Sequence, residues 1–415
     1  MTTDRNVLVI GAGAAGMMAA ITAAEQGAKV TVLERMNRPG RKLLITGKGR
    51  CNITNDCPWR DALSSIPVGS RFLFSAMSRF TPADAMEFFE NLGVPLKTER
   101  GRRVFPVSDK SMDVVDALDR RMKKLGIKRA ECRANGLIIE DGRAVGAHTD
   151  KGDFRADAVI VATGGMSYPA TGSDGDGYEF AKAAGHTVIE PKPSLVPLES
   201  DDPCCAEMMG LALRNVGIKI CEQGKTKPVY QDFGELLFTH FGLSGPTILS
   251  ASAHMRDFDK KSWKVSIDLK PALDEKTLDA RILRDFEKYA NRDFENALGD
   301  LYSRTMIPVI VRRSGIPGNL KVNSVTKAQR RKLLEITKAF DIDVTGPRPI
   351  AEAIITSGGV KLSEVEPSTM ASKILPGLYF AGEVLDADAY TGGFNLQIAW
   401  STGRAAGIAA AEKTI

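Results

Sequence analysis

Histidine, cysteine and tryptophan are scarce in this 415-residue chain, with four, six and three residues respectively. Six cysteines in so long a chain do not make the disulfide framework of a small secreted fold. No metal site is expected. Long apolar runs are also missing: nothing approaches the roughly 18 uninterrupted residues of a membrane-spanning helix. The opening MTTDRNVLVIGAG lacks the basic, apolar and small-residue succession of a secretory signal. A cytoplasmic protein with no membrane partner is therefore expected. Charge of one sign is lacking too. The net +5 favours encounter with an anionic ligand, yet falls short of the strongly basic balance of a nucleic-acid-binding domain.

What is present is an ordinary globular composition, long enough for two or three folded units. Residues 1–190 alternate apolar strand runs (6–10, 28–34, 157–163) with helical runs, the signal of parallel α/β structure. A helix start is marked by Thr81 and Pro82, with Asp84 in the first turn and Gly93 closing it. The three prolines of PKPSLVPL (191–198) are expected to break regular structure. Beyond them, short β-like runs mix with a charged helical stretch from about 274 to 340, where Thr326 and Gln329 form a capping box. Residues 351–415 return to α/β texture. Similar texture at both ends suggests a discontinuous domain, 1–191 with 351–415, interrupted by an insert.

The strongest motif is VLVIGAGAAGMMAAITAAEQGAKVTVLE. Gly11 makes a tight turn, Gly13 lets the backbone approach a pyrophosphate, and Gly16 allows close helix–strand packing. The helix that follows offers its unpaired N–H groups to the phosphates. Glu34 lies 18 residues beyond Gly16, where an acid hydrogen-bonds a ribose 2′-OH. FAD or NAD is the expected ligand. Two further signals favour FAD: the strand VIVATGG, breaking at Gly164-Gly165, and GLYFAGEVLDADAYTGGFNLQIAWSTG. In the latter a strand ends at Gly382-Glu383, Asp386 follows, and Gly392-Gly393 opens the terminal helix. Asp386 can hold ribityl hydroxyls or order waters at the pyrophosphate, and the amides of Gly393–Leu396 can face the flavin pyrimidine, where charge develops on reduction.

With these blocks, and with GRKLLITGKGRCNITN, TGGMSYPATGSDGDGY and GELLFTHFGLSGPTILSAS, the chain resembles a bacterial flavoprotein family. Its members are described as NAD(P)/FAD-dependent oxidoreductases or aminoacetone-oxidase-family FAD-binding enzymes, and it includes relatives of a bile-acid enone reductase. The resemblance implies a glutathione-reductase-type, Rossmann-like FAD domain interrupted by a β-barrel insert (192–270 and 338–350) carrying a small helical subdomain (271–337). The insert would roof the isoalloxazine. Tight, non-covalent FAD is implied, with contacts at Gly11–Gly16, Glu34, Arg35, Lys42, Gly164, Gly382, Glu383, Asp386 and Gly393–Leu396. The expected cofactor set also takes in Ala14, Ala15, Arg41, Arg50, Cys51, Asn52, Ala134, Thr163, Gly165, Gly392, Phe394 and Asn395.

The loop GKGRCNITND puts Lys48, Arg50, Asn52 and Asn55 where they can reach a pyrophosphate or an anionic substrate. Cys51 and Cys57 stand where related disulfide oxidoreductases carry a redox pair, but with five intervening residues rather than four; two unpaired thiols are expected. Cys204-Cys205 reads as an exposed turn without a strained adjacent disulfide. His240 is the first general-acid candidate, its pKa suited to proton delivery near neutrality. Tyr168 and Tyr390, beside the glycine turns, are the others.

The expected chemistry is hydride transfer through flavin N5 to or from a small organic substrate. An NAD(P)H-dependent enone or C=C reductase and an oxygen-using amine or alcohol oxidase are both open. No second complete GxGxxG unit exists, so NAD(P)H would use the open active site as a transient donor. An RNA-modifying flavoprotein is the less favoured class, because Arg312-Arg313 and Arg330-Arg331-Lys332 read as solvated helix faces. A non-catalytic flavin sensor is the third.

Overall fold

The structure is a computed structural model that describes residues 5–225, 227–255, 258 and 260–412. It divides into two compact units, Met1–Ser194 with Ile350–Ile415, and Leu195–Pro349.

The first unit is built on five parallel strands: β1 (Asn6–Ile10), β2 (Lys29–Glu34), β3 (Lys128–Glu131), β4 (Ala158–Val161) and β5 (Leu378–Phe380). Their order is β5-β4-β1-β2-β3. β1 and β4 are continuous apolar runs buried on nearly every residue, as strands covered on both faces must be. An edge strand, β5, comes from the far end of the chain, so this sheet requires both terminal segments. Between β3 and β4 the chain makes a three-stranded antiparallel meander, 134–140, 143–149 and 152–155.

Helix α1 (Ala14–Glu25) packs along the terminal helix α2 (Phe394–Ala411). Small residues set the approach. A Cβ on Gly403 would lie 2.4 Å from the Ala15 carbonyl oxygen, and one on Gly407 would lie 2.5 Å from that of Ala19. Close backbone contact replaces large interdigitating side chains here, consistent with the Ala-rich composition of both helices.

The second unit holds a seven-stranded antiparallel sheet, ordered 340–344, 263–268, 212–222, 230–239, 242–244, 198–199, 346–347. Its two outermost strands are joined by Thr345 alone, so the sheet curls until its edges meet. The helices between 275 and 338 bury Leu278, Ile282, Val309 and Leu333 in the same core as Ile218, Val265 and Ile342 of the sheet. Both expected caps form: Thr81 with Asp84 starts helix 82–91, and Thr326 with Gln329 starts helix 327–338.

Two expectations are corrected. The proline-rich stretch breaks regular structure only at 195–197: Val188–Ser194, with Pro191 and Pro193, is a strand paired antiparallel with Ile355–Val360. Pro191 falls at the register shift between Ile189 and Lys192, where a missing N–H costs no ladder bond, and the sheet has only two strands, both edges. Cys204 and Cys205 are not on an exposed turn. Both are buried in a short helix, Pro203–Glu207, capped by the Asp202 carboxylate on the Cys204 N–H. They are free thiols, as are the other four cysteines.

Candidate active site

The glycine motif divides its work. Gly11 has φ +103°, and a Cβ there would sit 2.6 Å from the Ala162 carbonyl oxygen. A Cβ on Gly16 would overlap the Gly11 oxygen at 1.9 Å. Gly13 differs: its φ of −80° suits any residue, and no protein atom lies within 4 Å of its Cβ position. Packing therefore demands Gly11 and Gly16, while the open space over Gly13 suits a ligand approaching the backbone. Gly13 caps α1 without a side-chain hydrogen bond, and no acid stands in the first turn. The amides of Ala14, Ala15 and Gly16 are left for an anion.

Glu34 closes β2 with its carboxylate divided between two backbone donors, Ala12 N at 2.9 Å and Met36 N at 2.8 Å. Burial raises its pKa, opposed by those two N–H groups and by Arg35 and Arg129. It therefore holds the glycine turn to the loop after β2, and each oxygen keeps a lone pair for a ribose hydroxyl. Arg35 reaches across to Asp174 and Asp176, which Arg133 also pairs. Ala134 is buried at the start of the meander.

At the same carboxyl end of the parallel sheet the turns after β4 and β5 meet. A Cβ on Gly165 would strike Thr356 Oγ1 at 2.4 Å and Glu383 Oε1 at 2.9 Å. Gly164 and Gly382 are left-handed, and the Gly382 N–H donates to Thr402 Oγ1 at 3.0 Å. Lys42 Nζ lies 2.7 Å from Glu383 and 2.6 Å from Ser167 Oγ, and Thr356 N donates to Glu383 at 2.8 Å. Lys42 and Glu383, read separately from the sequence, are thus one ion pair beside the site. Asp386 N donates to the Val360 carbonyl at 3.1 Å, while Arg41 is exposed at the start of helix Arg41–Ile45.

The loop 47–55 is strained and pinned. Lys48 and Cys51 both have φ +61°. Arg50 turns onto Glu99 and Asp109, its guanidinium 4.1 Å over the Phe105 ring. Cys51 is fully buried, and burial pushes its thiol up to about 12, so it stays protonated at neutral pH. Asn55 Nδ2 donates to the carbonyls of both Gly101 and Gly392 at 3.0 Å, and Thr54 Oγ1 donates to Gln397 at 2.6 Å. These bonds lock the loop to the start of α2. There Gly392 (φ +126°) and Gly393 (φ +101°) shape the turn, and a Cβ on Gly393 would meet the Thr54 oxygen at 2.3 Å. Asn395 closes it by accepting from Ala389 N at 2.9 Å and donating to Ala389 O at 2.8 Å. Again there is no side-chain cap and no acid in the first turn, leaving the amides of Phe394, Asn395 and Leu396.

Among the described residues, the buried polar atoms of this unit that lack a hydrogen-bond partner include Asn52 Oδ1, Thr163 Oγ1 and Tyr178 OH. A dinucleotide rich in donors and acceptors is the kind of group that would satisfy them. Tyr178 is not singled out by the sequence. Its phenol is raised by burial first, then by Glu383 and Asp386, so it remains neutral beside the site. A tyrosine shortly after Asp174 and Asp176 carries no pattern of its own, and only the fold brings it to Glu383 and Asp386.

The three proton-donor candidates separate. Tyr168 is half-buried at φ +52°, and its carbonyl accepts from Thr171 N and Oγ1 at 2.8 Å. Tyr390 is half-buried in the turn before Gly392, its N–H donating to Ser65 O at 3.0 Å. His240 is exposed on the hairpin turn between strands 230–239 and 242–244 of the second unit, edge-on to Phe241 at 5.0 Å.

The family profile "HI0933-like protein Rossmann domain" matches residues 5–409. The chain belongs to the HI0933-like family. It is 32% identical over 417 residues to the 3-dehydro-bile acid delta(4,6)-reductase of Clostridium scindens, with 98% of each chain covered. It is 28% identical to the ribosomal RNA dihydrouridine synthase of Escherichia coli, with 96% of each covered. Among solved structures, the 3-ketosteroid-Δ4-(5α)-dehydrogenase of Rhodococcus jostii RHA1 shares the fold at a TM-score of 0.51 and 18% identity, over 99% of this chain and 98% of that one. This HI0933-like protein is an FAD-dependent oxidoreductase with a Rossmann-type α/β fold. The two uncapped helix starts, the open space at Gly13 and the orphaned polar atoms fit that cofactor. Among the described residues, no helix is long and apolar enough to cross a membrane.

Proposed function

We propose that this enzyme saturates a carbon–carbon double bond conjugated to a carbonyl. Two full-length relatives support the reading. A delta(4,6)-reductase of a 3-oxo bile acid and a synthase of dihydrouridine both reduce an alkene joined to C=O. Bound FAD supplies the hydride at N5. The chain's own contribution is electrostatic and geometric. The α2 start, held by Asn55, Thr54 and Asn395, presents three N–H groups and no competing carboxylate, a preorganised seat for the negative charge of a reduced flavin. That seat is the observation that carries the reading.

The α-carbon then needs a proton. Tyr390, half-buried two residues before the Gly392-Gly393 turn, is our proposed donor; Tyr168 is the alternative in the same unit. Reducing equivalents come from NADH or NADPH at the open site.

The test is anaerobic titration of the yellow protein with each nucleotide, followed by a 4-en-3-one steroid or a uridine-containing transcript. Bleaching by one nucleotide and reoxidation by a conjugated alkene is expected. Reoxidation by oxygen alone, with amines or alcohols as reductants, would establish the oxidase reading instead. Tyr390→Phe should lower kcat by roughly a hundredfold or more while leaving the flavin spectrum intact.

A second reading concerns the form of the substrate. The dihydrouridine synthase relative spans nearly the whole chain, which favours a uracil carried in RNA as readily as a free enone. The basic clusters considered for RNA in the sequence do not serve it: Arg312 pairs with Glu207, Arg313 with Asp202, Arg330 with Asp279, and Arg331 with Glu275 and Glu335.

A further inference from the structure

We infer that the hairpin tip 100–103 and the neighbouring aromatic pair Trp59/Phe74 form a docking surface for single-stranded RNA. The inference rests on the RNA form of the substrate reading above.

The hairpin of strands 96–99 and 103–106 turns at Arg100, Gly101, Arg102 and Arg103, all exposed. Among the described residues none of these three arginines makes a salt bridge. The carboxylates nearby are engaged elsewhere. Glu99 and Asp109 take Arg50 and Lys97, and Asp56 accepts from Thr98 Oγ1 at 3.2 Å. Arg103 donates only to the Arg100 carbonyl at 3.1 Å. Three adjacent arginines without a carboxylate partner concentrate positive charge at one tip, whereas the paired arginines Arg312, Arg313, Arg330 and Arg331 are neutralised where they cluster.

The tip is also fixed next to the site. One side-chain amide, Asn55 Nδ2, bonds both Gly101 O in the tip and Gly392 O in the α2 turn at 3.0 Å, and Asp56 N donates to Arg102 O at 2.7 Å. Trp59 follows Asp56 by three residues, at most about 11 Å of extended chain. Its ring stands edge-on to Phe74 at 5.0 Å, with Phe74 50% exposed and the Arg60 guanidinium 5.2 Å from the Trp59 ring.

An exposed phenylalanine and a half-buried tryptophan beside unpaired arginines are what an unstacked polynucleotide requires. The rings stack bases without regard to sequence, and the arginines follow the phosphates. A free enone has no phosphate to engage them. The surface therefore assigns the phosphate-bearing substrate to this site, with the arginines gripping the backbone beside a uracil presented to the α2 turn.

The test uses the full-length, FAD-loaded protein and a fluorescein-labelled oligouridine of about 20 nucleotides, read by anisotropy at about 50 and 200 mM KCl. The wild type should bind with a steep salt dependence. Arg100→Ala/Arg102→Ala should reduce the slope of log K against log salt by about two. Trp59→Ala, or Phe74→Ala should the tryptophan variant fail to retain flavin, should weaken binding roughly tenfold at both salts. Reoxidation of the bleached flavin by a 4-en-3-one should be unchanged in the arginine variant. If wild type binds and the arginine variant binds equally, this surface is overturned while the RNA reading stands. No binding by wild type at low salt overturns both, and enone turnover then still tests double-bond reduction. A raised KM for NADPH with RNA affinity unchanged would overturn the inference and give the arginines to the nicotinamide donor.

Discussion

Within one motif, two glycines answer to different constraints. Gly16 is required by the protein itself, because a methyl there would overlap backbone at 1.9 Å. Gly13 is required by nothing in the protein: its backbone angles are ordinary and its Cβ position is open. Gly13→Ala should therefore leave the melting of the cofactor-free protein within about 0.5 kcal/mol of wild type. It should still weaken FAD binding roughly a hundredfold, since the methyl occupies the pyrophosphate's path. Gly16→Ala should instead destabilise the cofactor-free protein by about 1–3 kcal/mol or more. Thermal melts of both apo variants with calorimetric FAD titration decide between these roles; equal destabilisation would make Gly13 structural. The glycine spacing and Glu34 were legible because local backbone geometry dictates them. The second half of Glu34's work was not, because its bonds to Ala12 and Met36 depend on how the two loops meet.

At the level of elements, helices, caps and strands were legible wherever period and capping chemistry agreed, as at Thr81 and Thr326. The failures have a common cause in partners distant along the chain. Val188–Ser194 became a strand because residues 355–360 supply an edge that tolerates prolines. Cys204 and Cys205 are buried under Asp202 and Arg313, more than a hundred residues apart in sequence. The α1–α2 seam is of the same kind: Ala-rich helices could be read, but not that Gly403 and Gly407 face Ala15 and Ala19. Both helices begin without a side-chain cap at the candidate FAD site, so their spacing should matter to binding as well as to stability. Gly403→Ala places a methyl 2.4 Å from the Ala15 oxygen. It should cost about 1–3 kcal/mol by overpacking and also loosen FAD. Guanidinium melts and flavin retention on gel filtration measure the two effects; a variant that melts early yet holds flavin like wild type would uncouple the seam from the site.

Across the whole molecule, the first unit exists only when its two terminal segments find each other, and some of the contacts between them are titratable. His186, from the early segment, is buried; its Nε2 lies 2.6 Å from Ser372 Oγ, its Nδ1 3.4 Å from Glu364, and its ring edge-on to Phe380 at 4.9 Å, all from the late segment. Burial lowers its pKa, outweighing the pull of Glu364 in the other direction. The fold thus holds the neutral ring. Its stability contribution is complete above the unfolded value of about 6.5 and is lost as pH falls through the lower folded value. Glu364 adds to the same trend further into acid: burial opposes ionisation, but the Thr187 N–H and His186 outweigh it and hold the carboxyl low. Protonated His186 would gain Glu364 as an ion-pair partner, which softens the loss without reversing it. Stability should therefore fall between about pH 7 and pH 5, and His186→Gln should flatten that decline even though it lowers the melting point at neutral pH. Melts of the apo protein across this range give the slope directly. An unaltered slope in the variant would move the acid sensitivity to another group and leave His186 a packing residue in the joint between the two ends of the chain.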